Sequence, residues 1–332
     1  METRISLLLL VSFAVLFQAG CARGARDYLE RGNKFFEARK YEDASIQYRK
    51  AIQKDPNFGE AWYQIGLVEM ERKRGIEAYA PLLRAVELMP QNDLAKIRLA
   101  DVSLALLVVD PRHPKALYDQ VEKLADQLLG KNRRSFDGLR LKGSLRLLDR
   151  NPQSAIAFFE EADRIEPMRP DLVVGWVQAL FADNRSADGE RLALQIIEKN
   201  KTFAPMYDVL YRHYLSGNRP RDAEDILKTK IANNPGDASY VLQLAGHYAS
   251  AKNLSETQNT VQRILNDPKG FPDGRLQAGI FTPAWASGIR HSSNSKGDLD
   301  RLKKRKSWSI RSAWRTRLWF KARRMTLGGL WS

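Results

Sequence analysis

A 34-residue period runs through most of this chain. The stretch YLERGNKFFEARKYEDASIQYRKAIQKDP begins at Tyr28, and WYQIGLVEMERKRGIEAYAPLLRAVELMP begins at Trp62. In that register Gly32 recurs as Gly66, Ala44 as Ala78, Tyr48 as Leu82, Ala51 as Ala85 and Pro56 as Pro90. A period of this length points to one small supersecondary unit used over and over. Each unit buries its apolar face against its neighbours rather than around one central core. The small residues let two helices approach closely, and the large ones fill the space between them. Proline then ends the second helix, because it lacks a backbone donor and restricts the residue before it. Nothing in the pattern calls for a strand.

The register continues. LKGSLRLLDRNPQSAIAFFEEADRIEP places Gly143, Ala155, Phe159, Ala162 and Pro167 in equivalent positions. YDVLYRHYLSGNRPRDAEDILKTKIANNP does so with Tyr207, Leu210, Tyr214, Ala223, Leu227 and Pro235, and the next unit with Val241, Leu244, Ala245, Tyr248, Val261 and Ile264. Two units are degenerate. One starts near Asp93 and carries the insertion DPRHP before its second helix. The other spans Pro170 to Asn200 and has Gly189 where alanine is expected. A last unit opens at FPDGRLQAG and keeps the pattern only to Gly279. These residues resemble the tetratricopeptide repeat (TPR), a pair of antiparallel helices. The resemblance covers residues 25–279, as about seven repeats plus the first helix of another. It implies an all-α fold, a TPR α-solenoid that winds as a right-handed superhelix with a concave surface lined by the first helices.

The resemblance also implies that the chain binds other proteins, as a peptide or helix laid in the groove. The first helices offer Asn33, Tyr63, Leu67, Met70, Asp101, Arg140 and Ser144 as groove residues. The segment RGNK around Asn33 is similar to the carboxylate clamp of some TPR domains, and Arg98 fits it too. Gln64 stands where that clamp has asparagine, and Leu29 and Leu94 where it has lysines. Without those two cations, capture of a terminal carboxylate is not expected.

Motifs for chemistry are missing from the sequence. It contains no Walker loop, no G-x-G-x-x-G, no G-x-S-x-G and no H-E-x-x-H. His213 and His247 lie one period apart, so stacked imidazoles could share a metal. A metal site wants three or four ligands, and the sequence places no third one beside them. Packing histidines are the simpler expectation. No catalytic residue, cofactor or metal is assigned, and the chain is read as a non-enzyme.

Both ends differ from the repeats. METRISLLLLVSFAVLFQAG has a basic start at Arg4, an apolar run from Ile5 to Phe17, and small residues before the chain's one cysteine, Cys21. That run is of signal-peptide length and short for a membrane span. It resembles the bacterial lipoprotein signal, with Gln18 where an aliphatic residue is usual. The implied organisation is a signal peptide over 1–20, a lipidated Cys21 and a tether over 21–24. By the same resemblance, Ala22 rather than aspartate after the cysteine favours the outer membrane over the inner, with the chain facing the periplasm.

Residues 280–332 hold 13 Lys and Arg, two Asp, no Glu and five of the seven Trp. They account for +11 of the formal +15, so the repeats are nearly neutral and need no polyanion partner. This segment is expected to be an out-of-frame reading of the gene, without packed structure. In the frame one nucleotide back, Trp285–Ala286 must encode glycine. His291 then gives Ala, Ser, Thr or Pro, and Ser295 gives Phe or Leu if its codon is TCN. The other reading is a genuine basic extension that binds nucleic acid or anionic lipid through 290–324. A secretory signal argues against nucleic acid. The function expected from all this is a scaffold or adaptor of the bacterial cell envelope, in assembly, secretion or polysaccharide export. An enzyme accessory subunit is not separable from it on sequence.

Overall fold

The computed structural model describes residues 24–281, all of whose regular structure is helical. The signal-like run, Cys21 and the basic segment beyond residue 281 lie outside the described residues. The chain falls into two compact units that meet in sequence at Leu148 and Asp149. The first contains α1 (described over 24–37), α2 (Tyr41–Lys54), α3 (Gly59–Glu71), α4 (Gly75–Leu88), α5 (Asp93–Val109), α6 (Lys115–Lys131) and α7 (Phe136–Leu148). The second contains α8 (Pro152–Asp163), α9 (Pro170–Ala182), α10 (Ser186–Lys199), α11 (Ala204–Ser216), α12 (Pro220–Asn233), α13 (Ala238–Ser250), α14 (Leu254–Asn266) and α15 (Gly274–Phe281).

Within each unit every helix packs on the next one in sequence. Alternate first helices also touch: α5 with α7, α9 with α11, and α13 with α15. This is a solenoid of antiparallel helix pairs, as the 34-residue period requires. The aligned small residues sit where the helices are closest. Ala44, Ala51, Ala78, Ala85, Ala155, Ala162 and Ala223 are all fully buried. A Cβ added to Gly66 would lie 2.5 Å from Leu82 Cγ, and one added to Gly32 would lie 2.6 Å from Tyr48 Cδ1. Gly189, where alanine was expected, has the same cause in another form. A Cβ there would lie 2.7 Å from Cδ1 of Phe181, which has taken the space. The DPRHP insertion is accommodated by length. Helices α5 and α6 have 17 residues each, against 13 and 14 for α3 and α4.

The turns inside the pairs are built alike. Arg39, Lys73, Asn184, Asn218 and Lys252 each have φ between 53° and 60°. In each, the next residue's N–H reaches back to the first helix, as from Lys40 to Phe35 O, Arg74 to Glu69 O and Asn253 to Tyr248 O, at 2.8–2.9 Å. This is a Schellman turn, and its left-handed position favours glycine. Lys73→Gly is therefore expected to stabilise the first unit by about 0.5–1 kcal/mol, read as a higher denaturant midpoint. An unchanged or lower midpoint would count against it. Helix starts are marked by Pro152, Pro170 and Pro220 in the first turn, and by side-chain caps from Asn92, Asn151, Asp237 and Asn253.

Candidate interaction surface

In the first unit, Tyr63, Leu67 and Met70 stand on α3 at spacings of four and three, so they share one face of the helix. Leu94, Ile97, Asp101, Leu104 and Val108 repeat that pattern along α5, one period on. Tyr63, Met70, Ile97 and Leu104 are half-buried against the cluster that contains Leu99, Val102, Leu107 and Leu141. Leu67 is half-buried too, while Leu94 is 61% and Val108 44% exposed. Apolar side chains thus reach solvent along the first-helix faces of this unit, interrupted by the charges of Asp101 and Arg98. Apolar surface of this kind is what protein partners cover.

The other groove residues have internal duties. Asn33 is half-buried, and its Oδ1 accepts a hydrogen bond from the Tyr48 hydroxyl at 2.9 Å. Burial of Tyr48 raises its pKa, so that hydroxyl stays neutral and needs the acceptor. Arg140, whose side chain is only 7% exposed, donates to Asp101 at 2.6 Å and to Asp137 at 3.2 Å, tying α5 to α7. Ser144 Oγ donates to the Arg140 carbonyl, and Arg98 lies 3.5 Å from Asp101. Arg140→Met is expected to destabilise the first unit by about 2 kcal/mol, because it takes the buried guanidinium away from two partly buried carboxylates. A denaturant midpoint at the wild-type value would disprove that. Of the clamp positions, Leu29 is buried in the core, Gln64 is half-buried and Leu94 is exposed.

The two histidines are engaged separately. The His213 ring lies flat on Phe181, with centroids 3.7 Å apart, and its Nε2 is 3.2 Å from Glu190 Oε1, which also accepts from Arg219 at 2.6 Å. Arg219 also donates to Asp222, and its hydrogen bonds to Glu190 first and then to Asp222 raise its pKa. His247 is buried, 3.4 Å from the Tyr211 hydroxyl and edge-on to the rings of Tyr211 and Tyr248. Among the described residues, no group of three or more His, Cys, Asp or Glu could hold a metal ion. Burial lowers the His247 pKa, and Glu224 opposes this. Protonation then favours the unfolded chain. The stability His247 confers is complete above its unfolded pKa of about 6.5 and declines as pH falls below it. The thermal midpoint is expected to drop between pH 7 and pH 5, with a smaller drop in His247→Gln. Equal drops in the two proteins would exclude His247 as the source.

Sequence reasoning missed a buried charge in the second unit. Lys230 on α12 is 2% exposed, and its Nζ donates to Asp208 at 2.7 Å and Gln243 at 2.9 Å while lying 4.2 Å from the Tyr240 ring centroid. The signal was present: Lys230 occupies the position where Ala51, Ala85 and Ala162 recur.

The fold and this surface define a helix-pair solenoid of the TPR kind that offers apolar first-helix faces. Residues 32–71 match the TPR repeat. No curated protein matches the sequence. A tetratricopeptide repeat protein from Parabacteroides merdae is similar in structure, with TM-score 0.54 and 11% identity over 78% of this chain and 99% of that one. A chain of the APC/C hetero-tetramer Cut9–Hcn1 is similar at TM-score 0.52 and 16% identity, over 68% of this chain and 43% of that one. At such identities the likeness is one of fold.

Proposed function

We propose that the protein is a non-catalytic scaffold that binds an apolar segment of another protein on the first-helix faces of its first unit. The observation that supports this most directly is the row of half-buried and exposed apolar side chains on α3 and α5: Tyr63, Leu67, Met70, Leu94, Ile97 and Val108. Leu67→Glu puts a charge in the middle of that row and is expected to weaken partner capture at least about tenfold, as loss of a central contact does. Capture is measured by pull-down from solubilised membranes. Capture at full strength by the variant would refute the proposed surface.

The proposed setting is the bacterial envelope, with the chain held at the outer membrane through lipid on Cys21 and facing the periplasm. Supporting this are the apolar run from Ile5 to Phe17 and the small residues Ala19 and Gly20 that stand just before Cys21. Acyl chains anchor at about 0.8 kcal/mol per buried methylene. Cys21→Ser should therefore move the protein out of the membrane fraction, and retention after a carbonate wash would reject lipidation. A nucleic-acid-binding role through 290–324 makes the opposite prediction about salt. Phosphate binding weakens steeply with ionic strength, whereas an apolar face does not.

A further inference from the structure

Three offsets along the chain recur from the first-helix positions Gly32, Gly66, Gly143, Val177, Tyr211 and Ala245, the unit with the DPRHP insertion between α5 and α6 being the exception. Seven residues on, Arg39, Lys73, Arg150, Asn184, Asn218 and Lys252 all have positive φ, between 53° and 60°. Twelve residues on stand Ala44, Ala78, Ala155, Gly189, Ala223 and Thr257, all small and all buried. Sixteen residues on stand Tyr48, Leu82, Phe159, Ala193, Leu227 and Val261, all apolar and no more than 7% exposed. Each offset has its own physical requirement: a left-handed turn, a close helix approach, and a side chain that fills the space opened by the small residue.

Helix α15 opens the same way. It packs on the preceding pair through Ala278 against Ala245 and Val261. Gly279 stands 34 residues after Ala245. The residues written at the three offsets from Gly279 are Ala286, His291 and Ser295. A histidine belongs in none of the close-approach positions above, and a serine in none of the filling ones. Tryptophan has one codon, so the frame one nucleotide back reads glycine at 286, the residue the left-handed turn favours. In that frame 291 is restricted to Ala, Ser, Thr or Pro. Position 295 is Phe or Leu where Ser295 is TCN, since the asparagine codon before it ends in a pyrimidine. One permitted reading of 280–295 is DFYASLGEWDSALQQF, to be set beside NKFFEARKYEDASIQY at 33–48.

We infer that α15 is the first half of an eighth helix pair, and that the helix that docks on it is encoded in the adjacent reading frame, one nucleotide having been lost near the Gly279–Ile280 junction. The basic, tryptophan-rich sequence is then a by-product of the written frame, and its charge is no guide to a partner. The occupant of the α15 surface is the gene's own next helix rather than a second copy of the chain.

Two measurements test this. The first is resequencing of the locus together with mass spectrometry of the protein from its native source. One additional nucleotide and peptides of the adjacent frame are expected. An intact written frame with tail peptides such as SWSIR would overturn the inference. The second compares the full chain as written with the full chain carrying one restored nucleotide. Amide exchange over Leu276–Gly279 is expected to slow about tenfold or more in the restored chain, as helix pairing protects backbone amides. Equal exchange rates in the two chains would overturn the pairing. So would equal protection of both chains accompanied by a concentration-dependent dimer, because a second copy would then be the occupant.

Discussion

Lys230→Ala is expected to destabilise the second unit by about 3 kcal/mol. The substitution puts back the residue that Ala51, Ala85 and Ala162 carry at the same repeat position, so reasoning from the repeat alone makes it neutral or stabilising. The structure predicts the opposite. The Lys230 ammonium is 2% exposed and holds Asp208 and Gln243 at 2.7 and 2.9 Å, and its stem fills space that alanine leaves empty. Removing it strands the Asp208 carboxylate, which is only 25% exposed and also accepts from Gln243 Nε2 at 2.7 Å. Taking away one partner of a buried pair is costly, whereas replacing both with apolar groups of similar size is nearly neutral. The double variant Lys230→Met with Asp208→Leu should therefore recover most of the loss. Guanidinium unfolding of the three proteins gives the answer. A midpoint for Lys230→Ala within error of wild type would show that the pair does not stabilise the fold.

Gly66→Leu is the counterpart in the first unit, with an expected loss of about 3 kcal/mol, the upper end for overpacking a tight core. A Cβ on Gly66 lies 2.5 Å from both Cγ and Cδ2 of Leu82, which is fully buried. The gain in helix propensity over glycine, about 1 kcal/mol, works in the other direction and is outweighed. Gly130 supplies the control. It also lies in a helix, α6, but a Cβ there meets nothing within 4 Å, so Gly130→Ala should stabilise by about 0.8–1 kcal/mol. Similar chemistry at two helical glycines is thus expected to change stability with opposite sign. Adding Leu82→Ala to Gly66→Leu should restore part of the loss by returning volume. If Gly66→Leu unfolds at the wild-type midpoint, the close approach of α3 and α4 is not as described.

The 34-residue period by itself determined the helix pairs, their register and the positions that must stay small, because a contact that repeats with the chain leaves a mark at a fixed spacing. It also marked Tyr63, Leu67 and Met70 as one helix face, since that follows from 3.6 residues per turn. The turns were legible as turns. Their left-handed residues were not, because arginine, lysine and asparagine occupy them with no glycine to show the backbone conformation. The polar pairings depended on the folded chain. Whether Arg140 reaches Asp101, whether Asn33 faces a partner or the Tyr48 hydroxyl, and whether Lys230 is a surface lysine or a buried one all turn on how far one helix is displaced along its neighbour. That displacement is set by many side chains packing at once, and no single spacing in the sequence records it. The separation of His213 from His247 has the same origin. Their one-period spacing made them equivalent, but Phe181 stacks on one ring while Tyr211 meets the other edge-on, so the two imidazoles have different neighbours.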